Sequence, residues 1–211
     1  MVKNIFFDFN GTLLDDVKLC YDIESNIVSA YNLKPISLSF YLDNFCFPVK
    51  KYYEKIGFDF NKVSYKDVSK MFFDEYLARE KEETQLYPNV KETLTYLKEK
   101  GIKLYCFSAS ERTLLHNQLQ FLGIFDFFDG IIASDNIAAK GKLDYGREYI
   151  EKHHIEVEST LMIGDTYHDY EVAKDLGLTP ILVTFGHNSE NVLKTLNVAL
   201  IKNFSDIKNL I

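Results

Sequence analysis

Ile5, Phe6 and Phe7 form an unbroken apolar run near the start of the chain, and the run stops at a carboxylate, Asp8. A short apolar run without alternation fits a strand buried on both faces, the kind found in parallel sheets. Asn10, Gly11 and Thr12 follow, and Gly and Thr suit a tight loop with special backbone angles. In open α/β sheets, ligand chemistry lies just beyond the carboxyl ends of strands. Asp8 is therefore expected on a rigid strand end, with Gly11 letting the backbone come close to a ligand.

The chain has 211 residues, enough for one large domain or a core with a smaller insert. Its net charge of −7 argues against nucleic acid or an anionic membrane as a partner. An acidic chain that handles an anionic ligand must build positive potential locally, from a metal, a lysine or helix N-termini. The three cysteines (Cys20, Cys46 and Cys106) form no C-x-x-C pair and read as reduced thiols of a cytoplasmic protein. No signal-peptide pattern opens the chain, and no stretch reaches the roughly 20 apolar residues of a membrane span. The expectation is a soluble monomer or small homo-oligomer.

After the first loop the pattern changes. Val17, Cys20, Tyr21, Ile23, Ile27, Val28 and Tyr31 recur at helical spacing. Further helices are expected from Leu38 to Phe45, from Pro48 (in the first turn) to Ile56 with Gly57 as C-cap, and after the cap residue Ser64. The last of these has an apolar face of Val68, Met71, Phe72, Tyr76 and Leu77. No period-2 strand is expected between Asp16 and Leu86, so 16–86 reads as an all-helical insert. From Tyr87 onward, strands (Lys103 to Phe107, Gly130 to Ala133, Thr160 to Ile163, Pro180 to Val183, Val198 to Ile201) alternate with helices. That alternation implies right-handed crossovers and a parallel sheet covered on both faces. The expected fold is α/β: a parallel, Rossmann-like core of 1–15 and 87–211 with a helical cap domain of 16–86.

Three strands thus end in polar residues that can converge: Asp8 with Asn10, Ser108, and Asp165 with Asp169. Such convergence suits phosphoryl transfer. The run Asp8-Phe9-Asn10-Gly11-Thr12 resembles motif I (D-x-D-x-T/V) of the haloacid dehalogenase superfamily, and Gly164-Asp165-x-x-x-Asp169 resembles its motif IV. The helical insert resembles the superfamily's C1 cap, and the run Gly164 to Ala173 looks like its phosphoglycolate-phosphatase-like subgroup. Taken singly each motif is weak, but together and in order they make a strong joint signal.

The resemblance implies a Mg²⁺-dependent phosphatase in which Asp8 is the nucleophile and passes through an aspartyl-phosphate. Mg²⁺ prefers octahedral oxygen ligands, and the resemblance implies Asp8, the Asn10 carbonyl and Asp165 as ligands, with Asp169 orienting a metal-bound water. Ser108 and the Ala109 N–H would bind a phosphoryl oxygen, although Ser108-Ala109-Ser110-Glu111 also reads as a helix capping box. Motif III requires a lysine. Lys140 and Lys142 both qualify, and Lys142 matches the subgroup better.

Position 10 departs from the pattern, since the family's acid/base Asp is replaced by an amide that does not titrate. General acid/base help is worth about 10² to 10⁴ in rate, so Asn10 weakens turnover without abolishing it. Another base (His168 or a metal-bound water) could serve, or substrates whose leaving group needs little protonation could be favoured. A phosphate-ligand-binding protein of low activity and a phosphomutase are the alternatives to a hydrolase of small phosphorylated metabolites. If the site is otherwise ordinary, Asn10→Asp should raise alkyl-phosphate turnover. His187 reads as a loop or packing residue, with a place at the active-site edge as the other option. Phe45-Cys46-Phe47-Pro48 reads either as a substrate-selecting loop or as packing within the insert.

Overall fold

A computed structural model describes residues 1–134 and 141–211. The first strand, β1 (Asn4–Phe7), is followed by a two-residue strand, β2 (Leu14–Asp15). Four helices come next: α1 (Val17–Ala30), α2 (Leu38–Asn44), α3 (Val49–Ile56) and α4 (Tyr65–Glu83). The chain then alternates through β3 (Gln85–Leu86), α5 (Val90–Glu99), β4 (Lys103–Glu111), α6 (Arg112–Phe121) and β5 (Gly130–Ser134). It continues with α7 (Lys142–His153), β6 (Thr160–Gly164), α8 (Tyr167–Asp175), β7 (Thr179–Val183), α9 (Glu190–Lys194) and β8 (Ala199–Ile201), and closes with a 3-10 helix, Phe204–Leu210.

Six strands form one parallel sheet in the order β5-β4-β1-β6-β7-β8. The unbroken apolar run of β1 is explained by its central place. Ile5 and Phe7 face a cluster with Leu94 of α5 and Leu115 of α6, while Phe6 faces Met162, Val172 and Ala173 on the other side. Alternate side chains point to opposite faces of a strand, so a strand covered on both faces must be apolar at every position.

Helices α1 to α4 enclose a separate apolar cluster that includes Leu19, Ile23, Ile27, Tyr41, Tyr52, Tyr53, Val68 and Tyr76. The i, i+4 spacing of Leu19, Ile23 and Ile27 places them on one face of α1. Ser64 Oγ accepts from the Asp67 N–H and starts α4, and Gly57, at φ +117°, ends α3.

Four details differ from the sequence reading. β2 and β3 pair antiparallel at the two ends of the helical insert (Leu14 with Leu86, Asp15 with Gln85), a ribbon too short to show alternation. Met71 and Leu77 of α4 are 39% and 48% exposed rather than core. Pro48 is the N-cap of α3 instead of lying in its first turn. β4 runs through Ser108-Ala109-Ser110 to Glu111, whose carboxylate caps α6 by accepting from the N–H groups of Thr113 and Leu114. The capping-box reading of Ser108 therefore fails. No described helix is long and apolar enough to cross a membrane.

Candidate active site

β1 lies between β4 and β6, with Phe7 in register with Cys106 and Ile163. One residue further on, the three strands present Asp8, Phe107 and Gly164 at one level, and Asp165 follows directly. Asp8 is held by its N–H on the Ile163 carbonyl at 2.8 Å. The loop after it closes on Phe9, whose carbonyl accepts from the N–H groups of Leu13 and Leu14, both at 2.9 Å. Gly11 has φ +70°, and a Cβ there would lie 2.3 Å from Asp165 Oδ2. Only glycine fits that turn.

Asp8, Asp165 and Asp169 are buried and each offers an oxygen within 4.8 Å of the other two. Lys142, the first residue of α7, projects its ammonium between two of them, bonding Asp8 and lying 2.7 Å from Asp169 Oδ1. The same Nζ lies 5.1 Å from the Phe107 ring centroid. Asp169 also closes the start of α8, its Oδ2 accepting from the Thr166 hydroxyl (2.6 Å) and N–H (3.0 Å). Asp165 accepts from the Thr12 hydroxyl at 3.1 Å and from the His187 N–H at 2.6 Å.

The charges within this pocket follow from burial and pairing. Burial pushes Asp8 well above the usual carboxylate range against the pull of Lys142. Burial likewise raises Asp165 to about 6, against the pull of His187. For Asp169 burial is outweighed by Lys142, and its pKa falls. Burial also opposes the charge on Lys142, but Asp169 and Asp8 outweigh it and hold the lysine cationic. Three carboxylates facing one ammonium leave a local excess of negative charge. Hard oxygen donors at this spacing suit a small divalent cation such as Mg²⁺.

A second polar cluster adjoins the first and was not legible as such in the sequence. Asp16, 1% exposed, accepts from the Asn10 side chain (2.7 Å), the Gly11 N–H (3.0 Å) and the Tyr76 hydroxyl (3.0 Å). Asp16 Oδ1 also lies 3.1 Å from His187 Nε2, and His187 Nδ1 lies 2.7 Å from the Tyr41 hydroxyl. Burial disfavours a charged His187, but Asp16 outweighs it and raises the imidazole to about 9. Burial would raise Asp16 too, yet His187, Asn10 and Tyr76 bring it below its usual value. Tyr41 and Tyr76 come from α2 and α4, so the network joins the helical insert to the sheet edge. Asn188 adds to the join by donating to the Phe45 carbonyl at 2.9 Å.

Asp8, Lys142, Asp165 and Asp169 are thus brought together. Ser108 is buried one residue beyond the level of Asp8, its Oγ accepting the Ser110 N–H at 3.1 Å, while Ala109 is exposed. Lys140 lies outside the described residues. His168 packs on Phe47 at 4.8 Å and places Nδ1 3.9 Å from Glu171, and it stands near enough to Asp169 and Lys142 for both to act on its charge, while burial lowers its pKa. Phe45 packs on His187 at 5.4 Å and Phe47 is 39% exposed, so that loop touches the core and is not simply packing within the insert. His187 takes the active-site edge. The signal available for the missed partners was the polarity of Asp16 directly after a buried loop, but nothing in the sequence paired it with Tyr76, 60 residues away.

A parallel α/β sheet that gathers carboxylates and a lysine at its carboxyl edge, beneath a helical insert, defines a class of hydrolases acting on an anionic group. The chain belongs to the haloacid dehalogenase-like hydrolases, the family whose model matches residues 5–183. It is 27% identical over 195 residues to a phosphoglycolate phosphatase of Vibrio vulnificus, covering 89% of this chain and 86% of the relative. Pyrophosphatase PpaX of Oceanobacillus iheyensis is 28% identical over 214 residues, covering 100% of this chain and 95% of the relative. In fold the chain matches a haloacid dehalogenase-like family hydrolase from Streptococcus pneumoniae with a TM-score of 0.77 at 20% identity, covering 99% and 98% of the two chains.

Proposed function

We propose that this protein is a cytoplasmic, Mg²⁺-dependent phosphatase of a small phosphorylated metabolite, with Asp8 as the nucleophile. The observation that carries the reading is Lys142 bonded to both Asp8 and Asp169 beside Asp165, a cationic lysine set against a nucleophile-bearing acidic cluster. Asp8 and Asp165, with the Asn10 carbonyl, would hold the metal. Asp169, whose oxygens are already engaged, would orient a water. When bound, the ion offsets the repulsion between an anionic phosphoryl group and an attacking carboxylate.

The chain's own groups do the rest. Asp8 is fixed by the sheet for in-line attack and forms an aspartyl-phosphate, which water then hydrolyses. Lys142 neutralises charge on Asp8 and on the transferring group. The Ser108 hydroxyl and the Ala109 N–H are assigned to a phosphoryl oxygen. The insert 16–86 acts as a cap. Asp8 is 9% exposed and Asp165 fully buried, and Tyr41, Tyr76 and Phe45 of the insert are bonded into the network beside them.

The test is phosphate release from a panel of phosphorylated metabolites, including phosphoglycolate and pyrophosphate, with Mg²⁺ and with chelator. Release that requires Mg²⁺ and disappears in Asp8→Asn is the expected result. Substrate binding without release by the wild type would make this a phosphate-binding protein instead.

A further inference from the structure

Resting on the phosphatase reading, we propose that the site takes substrates whose leaving group departs without accepting a proton: acyl phosphates, phosphoanhydrides and aryl phosphates, in preference to alkyl esters. The basis is where the protons near Asp8 are held. Asn10 carries none to give. Its amide is locked by its N–H groups on Asp16 at 2.7 Å and on the Tyr76 oxygen at 3.0 Å, which makes it a positioning residue. Asp16, the carboxyl of the adjoining polar cluster, is saturated by Asn10, Gly11, Tyr76 and His187.

The other candidates are equally committed. His187 spends one ring nitrogen on Asp16 and the other on Tyr41. The Lys142 ammonium lies between Asp8 and Asp169, and the Thr12 hydroxyl donates to Asp165. His168 lies against Phe47 and Glu171. Among the described residues, each of these proton-bearing side chains is already hydrogen-bonded or ion-paired to a neighbour, and the Ser108 hydroxyl donates to Ser110.

The chemistry balances without one. A carboxylate oxygen of Asp8 bonds to phosphorus as the bond to the leaving oxygen breaks. That oxygen keeps the electron pair and departs as a carboxylate, phosphate or phenolate anion. Water then adds to phosphorus, the pair of the Asp8 oxygen–phosphorus bond returns to Asp8, and the excess proton leaves with phosphate. An alkoxide is far more basic and would need the general acid that this site lacks, a deficit of about 10² to 10⁴ in rate.

The test uses the wild-type protein with Mg²⁺ and aryl phosphates of similar shape and graded phenol acidity, with benzyl phosphate as the alkyl member. The expected result is a steep fall in kcat/KM with rising phenol pKa, benzyl phosphate lying at least about 100-fold below 4-nitrophenyl phosphate. The most acidic members should share one kcat, because hydrolysis of the aspartyl-phosphate is common to them. A flat series, with benzyl phosphate within about fivefold, overturns the proposal. Absence of metal-dependent release from every member overturns the phosphatase reading itself. A second variant exchanges the pair, Asn10→Asp with Asp16→Asn, so that a carboxyl stands at position 10 while the 10–16 hydrogen bond is kept. It should raise benzyl phosphate turnover at least tenfold and flatten the series. A folded exchange variant with the wild-type slope overturns the proposal.

Discussion

Asn10 donates its side-chain N–H to Asp16 at 2.7 Å inside a pocket that leaves Asp16 1% exposed. The two side chains form an amide–carboxylate pair, and the donor at position 10 complements a carboxylate six residues later. This pairing changes what a substitution at position 10 does. Asn10→Asp on its own would set two carboxylates against each other in a buried pocket. One must then hold a proton, and its pKa rises. The expected outcome is a loss of about 2–4 kcal/mol at pH 7, smaller at pH 5, with no gain in alkyl-phosphate turnover. Urea denaturation at the two pH values checks the first part and a phosphate-release assay the second. The simpler expectation from sequence, that this substitution restores an acid, treats position 10 in isolation.

Lys142 is the only cation found on Asp8 and Asp169 among the described residues. Lys142→Ala leaves two buried carboxylates unpaired, and breaking such a pair costs about 3–5 kcal/mol. Stability should fall by that order, and phosphate release should drop by at least about 100-fold, since the same ammonium is assigned to the transferring phosphoryl group. A variant with normal stability and lost activity would confine the lysine to chemistry. Normal activity would remove it from the site.

The acidic cluster predicts a metal-linked stability. An ion such as Mg²⁺ held by the ionised carboxylates of the folded state would raise Tm in a concentration-dependent way. Asp165 is raised to about 6 and Asp8 is raised well above its usual range, in both cases chiefly by burial. Protons therefore compete with the cation, and the Mg²⁺-induced shift should grow as pH rises from about 5 to 7. Asp165→Asn should abolish the shift, and a metal response that survives this substitution would place the ion elsewhere. Differential scanning fluorimetry with and without chelator is sufficient.

How much of this was legible in the sequence depended on the range of the interaction. The sheet was, because β1 is buried on both faces and its apolar run needs no partner to be recognised. Asp8, Asp165 and Asp169 were, because strand ends concentrate chemistry at one edge whatever the loops do. Lys142 against Lys140 was not decided by spacing, because both lysines fall just before the expected third core helix and only the fold brings Lys142 onto Asp8 and Asp169. Asp16, Tyr41, Tyr76 and His187 were not assembled, because their contact depends on how the helical insert sits on the core. The 2-residue ribbon β2–β3 escaped for want of length, and Met71 and Leu77 were misassigned because an apolar stripe says nothing about whether a neighbour covers it.

The insert carries its own titration signature. Glu24 of α1 is 2% exposed, and the Tyr52 hydroxyl is, among the described residues, the one donor that eases its burial. Burial pushes its carboxyl from 4.5 to about 8. The folded protein then keeps this proton between roughly pH 4.5 and 8, where the unfolded chain has released it. Stability contributed by the protonated group is complete below the unfolded value and is lost as pH rises through that window, by up to about 1.4 kcal/mol per unit. At pH 7 the loss is on the order of 3 kcal/mol. Glu24→Gln keeps the shape, cannot ionise and should remove this part of the pH dependence. Urea midpoints at pH 5, 6.5 and 8 are therefore expected to agree for the two proteins at the lowest pH and to separate progressively above it, with the variant the more stable. Asp165 and the other acidic groups of the site are the same in both proteins, so the difference between the two curves reports Glu24 and its coupling to His187. Parallel curves would mean that the helical insert opens enough to hydrate this carboxylate in the folded state, and that the insert is looser than its buried tyrosines imply.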